Sequence, residues 1–543
     1  MEHGNYKLSR RGFLRWAGLA AGAAVFSACK SPTSAPEVRE VTKVVAGTPV
    51  VEVVTVTPAP VKQPDKIAIW SPGDNGTVAD WNYDPILAVV EEATNTEIEM
   101  LKIDWSTFVD QVNAAAASGN LPDVIGCVNH QNRALLEGWV RDGVIAPFED
   151  SVAEAAPYVL AQYEKNPSLN ELRINGRIYF QPISWGDGNY PNMGLLHVRK
   201  DLLDKLGLEP PDTLDQYSAF VSSAMAKGEK GILFGGSGGI GPAINAFAGA
   251  FGLPFRGWVK TGNGFGYCAV QPAMKEALVL FRQMVAEGLV DPASWESGAN
   301  QRDLYVAGRG CALIFNGGGH TGRIQNDMAL KDPAFKNWLL PAPSAGGSNR
   351  GYTAEEMFWG VSSIGGMKNN NPVAAARVIN FLISPEGYEL TAVGIEGRDF
   401  ERVGGEIKLL EQRTKDGFPT EAGNTGAHPL ATTIVSWVPQ EWQDWALLYG
   451  KDEAYKSWYK QMWQNQGKYQ IQTYGLLTTS PAWTQFYSTS QELITRSFLA
   501  IVQSGSDSEA MSLFDQFLND WHAAGGTAAQ DEMSAVLKEL YPS

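Results

Sequence analysis

Lys66-Ile67-Ala68-Ile69-Trp70-Ser71-Pro72-Gly73-Asp74 opens the stretch that decides the fold. Ile67 to Trp70 is a short apolar run that stops at a turn-forming Ser-Pro-Gly-Asp, the signature of a strand followed by a turn. A helical pattern runs from Trp81 to Ala93, and a second strand from Glu97 to Ile103. Between Trp105 and Ser118 apolar residues recur at helical spacing until Gly119, a helix stop. Leu121-Pro122-Asp123-Val124-Ile125 is strand-like again. Strands and helices alternating at this length predict an α/β domain with a largely parallel sheet. Ligands of such sheets bind beyond the carboxyl ends of the strands, which places Asp74 and Asp123 beside an expected cleft.

Further along the chain the alternation starts again at Leu195-Leu196-His197-Val198, with helices expected near 213–227 and 272–287. From about residue 430 the chain is helix-rich and crowded with Trp and Tyr. No short-period repeat is visible. The expectation is two α/β lobes with a helix-rich C-terminal part.

The N-terminus carries a different message. Ser9-Arg10-Arg11-Gly12-Phe13-Leu14-Arg15 is basic, and an uncharged small-residue run of 13 residues follows from Trp16 to Ala28. A basic segment ahead of a short apolar one is the layout of an export signal, too short to span a bilayer. The paired arginines point to the twin-arginine route. Phe26-Ser27-Ala28-Cys29 resembles the lipobox of bacterial lipoproteins, which implies cleavage after residue 28 and acylation of Cys29. Acyl chains contribute roughly 0.8 kcal/mol per buried methylene, so a multiply acylated Cys29 anchors the chain to a membrane. Residues 29–62 are rich in Val, Thr and Pro and lack aromatic residues. They are expected to form an extended tether, with an exposed Val-rich strand pair as the alternative.

Removing residues 1–28 deletes four cations and one anion and takes the net charge from −16 to −19. That charge argues against nucleic acid as a partner. Cys127, Cys268 and Cys311 remain, too few and too scattered for a disulfide framework, and no spacing suggests zinc or another metal. No cofactor is expected. Roughly 480 residues beyond the tether are enough for two or three sizeable cores.

Six segments then fall into a known order. They are Leu121-Pro122-Asp123-Val124 after Ser118-Gly119, Asn175-Gly176-Arg177-Ile178-Tyr179-Phe180-Gln181-Pro182, and His197-Val198-Arg199-Lys200-Asp201-Leu202-Leu203 with Pro211-Asp212-Thr213. Gly308-Arg309-Gly310-Cys311-Ala312-Leu313, Asn371-Pro372-Val373-Ala374-Ala375-Ala376 with Ser384-Pro385-Glu386-Gly387, and Gly394-Ile395-Glu396-Gly397-Arg398-Asp399 complete the set. Together they resemble family 1 extracellular solute-binding proteins, the maltose-binding type. The resemblance implies a type II periplasmic-binding fold, whose two lobes close on a ligand about a hinge. By analogy, lobe 1 holds residues 63–182 and 360–430, and lobe 2 holds 183–359 and 431–543. It also implies a monomer that carries a small-molecule ligand, most often a sugar, to the permease subunits of an ABC importer on the outer face of the cell membrane.

A sugar offers apolar C–H faces and a rim of hydroxyls, which flat rings and directional polar groups match. The chain holds 17 Trp against 12 Met, and several Trp stand beside Gly, Asp or Lys in loop-like contexts. By family position Trp70, Asp74, Trp185, Asp187 and Trp359 are cleft candidates. Asp123, Tyr190, Trp258, Asn316, Arg398 and Trp437 join them as ligand-binding candidates. The two-lobed plan also suits a peptide or a polyamine, since fold alone does not give the ligand.

One enzymatic pattern competes. Gly235-Gly236-Ser237-Gly238-Gly239 satisfies G-x-S-x-G after a strand-like run, so Ser237 with His320 or His428 is a formal serine hydrolase candidate. Four glycines around one serine equally describe a loop. Nothing singles out a carboxylate pair, so the expectation is no enzyme.

Overall fold

The computed structural model describes residues 37–45, 48–56, 63–72, 81–103, 107–128, 133–184, 193–234, 240–262, 264–295, 301–354, 358–415, 418, 428, 430, 440–476 and 478–542. In the opening stretch Ile67 and Ile69 are the buried positions of the Asp65–Pro72 strand. This strand pairs in parallel with Thr96–Ile103 on one side and Val124–Val128 on the other. Asp84 starts the intervening helix, Pro85–Thr94: its Oδ1 accepts from the backbone N–H groups of Ile86 (2.7 Å) and Leu87 (3.0 Å), with Pro85 at the first position. Asn95, left-handed at φ 49°, ends it. Gly119 closes the next helix, Phe108–Ser118, in the same way at φ 74°.

The first sheet runs Thr96–Ile103, Asp65–Pro72, Val124–Val128, Phe358–Gly365, Ile145–Ala146, with Gln181–Ser184 also paired to Phe358–Gly365. The second runs Asn337–Leu339, Leu195–Arg199, Ala312–Phe315, Ile232–Phe234. Each has its own apolar core. One gathers residues from Ile67 to Phe180 and from Val361 to Leu430. The other gathers residues from Leu195 to Tyr352 and from Met462 to Leu537. The molecule is thus a two-lobed α/β fold with a helix-rich C-terminal part. Three of its helices, Pro481–Val502, Asp507–Ala523 and Gly526–Leu540, add Trp483, Phe486, Phe517 and Trp521 to the second core.

The sheets are less parallel than the alternation predicts. Phe358–Gly365 is antiparallel to each first-lobe strand it meets. Leu195–Arg199 is antiparallel to both its neighbours, and only Ile232–Phe234 and Ala312–Phe315 pair in parallel. The cause lies in the crossings. A strand that has just brought the chain across from the other lobe starts at the junction and runs away from it, against the strands that lead towards it. Gln181–Ser184 and Phe358–Gly365 are the two crossing strands, and they lie side by side with Val361 opposite Pro182.

Within the segment expected as a tether, Glu37–Val45 and Thr48–Val56 pair as an antiparallel hairpin. β-branched Val and Thr favour that backbone, and among the described residues the hairpin forms a two-stranded sheet of its own. Cys29 and the export segment lie outside the described residues.

Candidate ligand site between the two lobes

Two glycines allow the site to form. Gly257, at φ +81°, passes so close to Thr473 that a Cβ there would lie 2.2 Å from its Oγ1. Gly475, at φ +63°, brings its backbone against Trp258 and Leu537. Between them Trp258 and Tyr474 exchange two backbone hydrogen bonds of 3.0 Å. This seam joins the start of the Trp258–Thr261 strand to the loop that leads into the Pro481–Val502 helix, where Ser480 accepts from Trp483 N (3.2 Å).

Above the seam lies a half-open pocket. Trp258, Tyr267 and Trp483 form its floor, with centroids 4.8 to 5.2 Å apart and steeply inclined planes. Tyr487 stands beside them, 6.1 Å from Trp483. The polar lining comes from Thr478, Thr479, Thr484 and Gln491. The Thr479 and Thr484 hydroxyls lie 2.6 Å apart, and Gln491 Nε2 donates to the Tyr267 hydroxyl at 3.4 Å.

Two guanidinium groups complete the wall. Arg256 belongs to the second lobe. Burial pushes the Tyr267 and Tyr487 phenols up, and the Arg256 charge works against that at both, so its field reaches the aromatic floor. Arg133 is the first lobe's contribution. Its Nε donates to Glu137 (2.9 Å), and its terminal nitrogens donate to the carbonyls of Glu171 (3.2 Å), Leu172 (3.3 Å) and Arg173 (2.6 Å). The pocket therefore sits where the lobes meet.

The sequence-derived candidates fall into three groups. Asp74, Trp185, Asp187, Tyr190, Trp437 and Ser237 lie outside the described residues, and Trp359 is described only as backbone of the Phe358–Gly365 strand. Trp258 does line the pocket, although it is only 1% exposed and most of it packs in the second core. Trp70 is half-buried against the first core, and Asn316 ends the Ala312–Phe315 strand with its carbonyl 3.0 Å from His197 Nε2. Arg398 lies in a turn closed by its N–H on the Ile395 carbonyl (3.1 Å). None of these three lines this pocket.

Asp123 immediately precedes the Val124–Val128 strand, and its carboxylate accepts from Ala68 N (2.9 Å) and Asn371 N (2.7 Å), which braces the sheet against the start of the Pro372–Leu382 helix. The residues that sequence reasoning missed are Arg133, Arg256, Tyr267, Trp483 and the Thr478–Thr484 turn. Only the helix-start pattern Thr478-Thr479-Ser480-Pro481 signalled any of them.

The two histidines of the hydrolase pattern are both buried in apolar surroundings. His428 is fully buried, with Nε2 donating to Asp84 Oδ2 (2.8 Å) and Nδ1 accepting from Leu430 N (3.3 Å), so both ring nitrogens are committed. His320 lies in the first turn of the Gly319–Lys331 helix, edge-on to Phe315. Burial, helped by the charges of Arg323 and Arg302, holds it neutral, well below the usual imidazole range. Cys268 and Cys311 are free and buried, and burial pushes the Cys311 thiol up to about 12.

A family model for bacterial extracellular solute-binding proteins matches residues 77–389. Among curated relatives, the polygalacturonan/rhamnogalacturonan-binding protein YtcQ of Bacillus subtilis (strain 168) is 22% identical over 497 residues, 84% of this chain and 88% of that protein. Lipoprotein LipO of the same strain is 24% identical over 353 residues, 61% and 67% of the two chains. Among solved structures, the alginate-binding protein AlgQ2 without calcium ion superposes with a TM-score of 0.67 at 17% identity, over 88% of this chain and 98% of that one. That likeness is one of fold. With more than half of its length matched by the family model, the chain belongs to the bacterial extracellular solute-binding proteins.

Proposed function

We propose that this chain is the extracytoplasmic substrate-binding lipoprotein of an ABC importer and holds a carbohydrate between its lobes without transforming it. The observation that carries the reading is the pocket at the lobe junction. The half-buried ring of Tyr487, beside the largely buried Trp258, Tyr267 and Trp483, offers apolar surface for sugar C–H groups, and hydroxyls, an amide and guanidinium groups offer hydrogen bonds for its oxygens. A polygalacturonan/rhamnogalacturonan-binding relative and an alginate-binding protein of the same fold support the same class. A polyamine fits less well, because it calls for carboxylates and none lines this pocket among the described residues.

The lobe assignment of 63–182 with 360–430 against 183–359 with 431–543 is supported by the make-up of the two cores. Export through the twin-arginine route, acylation of Cys29, docking on permease subunits and a monomeric state complete the proposal. The lipid anchor is supported by the lipobox and by a lipoprotein relative.

The test is a panel of oligosaccharides, peptides and polyamines read by Trp fluorescence, with Trp258 and Trp483 at the pocket as reporters. Saturable quenching by an oligosaccharide that is recovered unchanged supports the reading. A response confined to peptides or polyamines overturns it. For the anchor, Cys29→Ala is expected to release the protein from membranes, and undiminished retention refutes acylation there.

A further inference from the structure

Resting on the carbohydrate reading, we infer that Gln491 is a specificity-determining residue of the pocket, its amide oxygen accepting a hydrogen bond from a hydroxyl of an uncharged sugar unit. Gln491 belongs to the Pro481–Val502 helix, where Trp483, Tyr487 and Gln491 follow one another at four-residue spacing. Residues so spaced share one helix face. All three line the pocket, and Gln491 is half-buried there.

The neighbours of its amide decide which way that group faces. The Ser490 hydroxyl gives its hydrogen to the Tyr487 carbonyl at 2.6 Å, so towards Gln491 its oxygen only accepts. The atom of Gln491 that stands 3.3 Å from it is therefore Nε2. The same Nε2 donates to the Tyr267 phenol at 3.4 Å. Tyr267 is itself fixed, buried and stacked on Trp521 at 5.5 Å, with its backbone bonded to Gln530 and Gln271. A turned-over amide would set Oε1 against the Ser490 oxygen. Oε1 therefore points away from both, and it bonds no other described residue.

Much of the remaining wall has spent its hydrogens too. Thr479 Oγ1 lies 3.3 Å from the Ser480 carbonyl and 2.6 Å from Thr484 Oγ1, so with Thr479 donating to the carbonyl, Thr484 donates to Thr479. Arg133 donates to Glu137 and to three carbonyls. Arg256 is engaged elsewhere, its guanidinium 5.3 Å from the centre of the Phe255 ring. Thr478 and Tyr487 add hydroxyls that give or take as required. A sugar hydroxyl brings the hydrogen that Oε1 lacks, whereas an ionised carboxylate only accepts and sets oxygen against oxygen. A site that pairs a ligand hydroxyl rejects analogues without one, because its own acceptor is then left unmet.

The experiment is calorimetry on the detergent-solubilised full chain with maltotriose, cellotriose, mannotriose, galactotriose and trigalacturonate. The tightest binder is expected to be neutral. That sugar is then measured on two variants, with thermal unfolding confirming that each folds. Gln491→Glu keeps an acceptor in place and is expected to hold the affinity within about threefold, while Gln491→Leu is expected to lose roughly tenfold. A glutamine that merely braced Ser490 and Tyr267 through its NH2 would fail alike as Glu and as Leu. Equal losses in the two variants, no loss in Gln491→Leu, or trigalacturonate as the tightest binder overturns the inference and leaves the carbohydrate reading standing. Failure of all five sugars defeats the carbohydrate reading on which it rests.

Discussion

The phenol of Tyr541, just beyond the last helix of the second lobe, hydrogen-bonds the Glu171 carboxylate of the first. Glu171 also gives its backbone carbonyl to Arg133, so this cross-lobe contact borders the pocket wall. Tyr541 packs on the second core, while Leu169 and Leu172 root the other partner in the first.

A bond between the lobes favours whichever arrangement keeps Tyr541 beside Glu171, so it biases any lobe motion that separates them. Tyr541→Phe keeps the ring and removes the hydroxyl. The loss is about 1 kcal/mol for a half-buried bond, equivalent to roughly a fivefold weaker apparent affinity. Calorimetry reads the affinity, and small-angle scattering of the ligand-free protein is expected to show a larger radius of gyration. An unchanged affinity and radius would mean that the contact does not hold the lobes together.

The buried pair His428–Asp84 ties distant parts of the first lobe together. Asp84 caps the Pro85–Thr94 helix with one oxygen and receives His428 with the other. The histidine is wedged between Trp81 and Phe418 and bonds the Thr391 carbonyl through its backbone N–H. His428→Ala leaves a buried carboxylate oxygen without its donor and a void beside two rings. A loss of about 3 kcal/mol is expected. Urea unfolding of the variant should show it, and a change below 0.5 kcal/mol would show that the pair contributes little.

The contrast between these contacts and the sequence reading has a physical origin. Ile67 and Ile69, the Asp84 cap and the Gly119 stop are local signals, because periodicity and capping are written within a few residues. Strand direction is not local. Nothing in Leu195–Arg199 says that it runs antiparallel to Ala312–Phe315, since alternation is the same either way. The site is less legible still. Arg133, Arg256 and Trp483 meet only after the chain has crossed between lobes, and Arg256 stands two residues from Trp258 with no pattern to mark it. The two bonds of the Asp123 carboxylate, to Ala68 N and Asn371 N, are equally non-local, since their partners lie 55 and 248 residues away.

His197 predicts a pH dependence. It is fully buried, with Nε2 facing the Asn316 carbonyl (3.0 Å) and Nδ1 facing the Asn337 amide (3.2 Å). Burial lowers its pKa from 6.5 to about 4. Above pH 6.5 the imidazole is neutral in both folded and unfolded chains, and its contribution is flat. As pH falls from 6.5 towards 4 the unfolded chain takes up a proton that the folded chain refuses, so stability is lost, by about 3 kcal/mol at the acid end. His197→Gln removes that proton. The stability gap between wild type and variant is expected to narrow from pH 7.5 to pH 4.5 in urea titrations, and a constant gap would show that His197 does not titrate out of step.

Gly257 offers the sharpest test of how the pocket is built. Its backbone lies at φ +81°, and an added Cβ would meet Thr473 Oγ1 at 2.2 Å, Leu476 at 2.9 Å and the Tyr474 carbonyl at 3.1 Å. Thr473 Oγ1 is itself bonded to the Arg256 carbonyl (2.9 Å), so it cannot yield without moving the arginine. Gly228 is the matched control, at φ +97° with nothing within 4 Å of a new Cβ. Gly228→Ala carries strain alone, about 1 kcal/mol, and should leave ligand affinity intact. Gly257→Ala adds the clash, so a loss of about 3 kcal/mol is expected together with at least tenfold weaker binding, as Arg256 and Trp258 shift. Thermal unfolding and calorimetry on the two variants side by side separate strain from displacement. Equal effects on binding would mean that the seam at Gly257 does not set the pocket's shape.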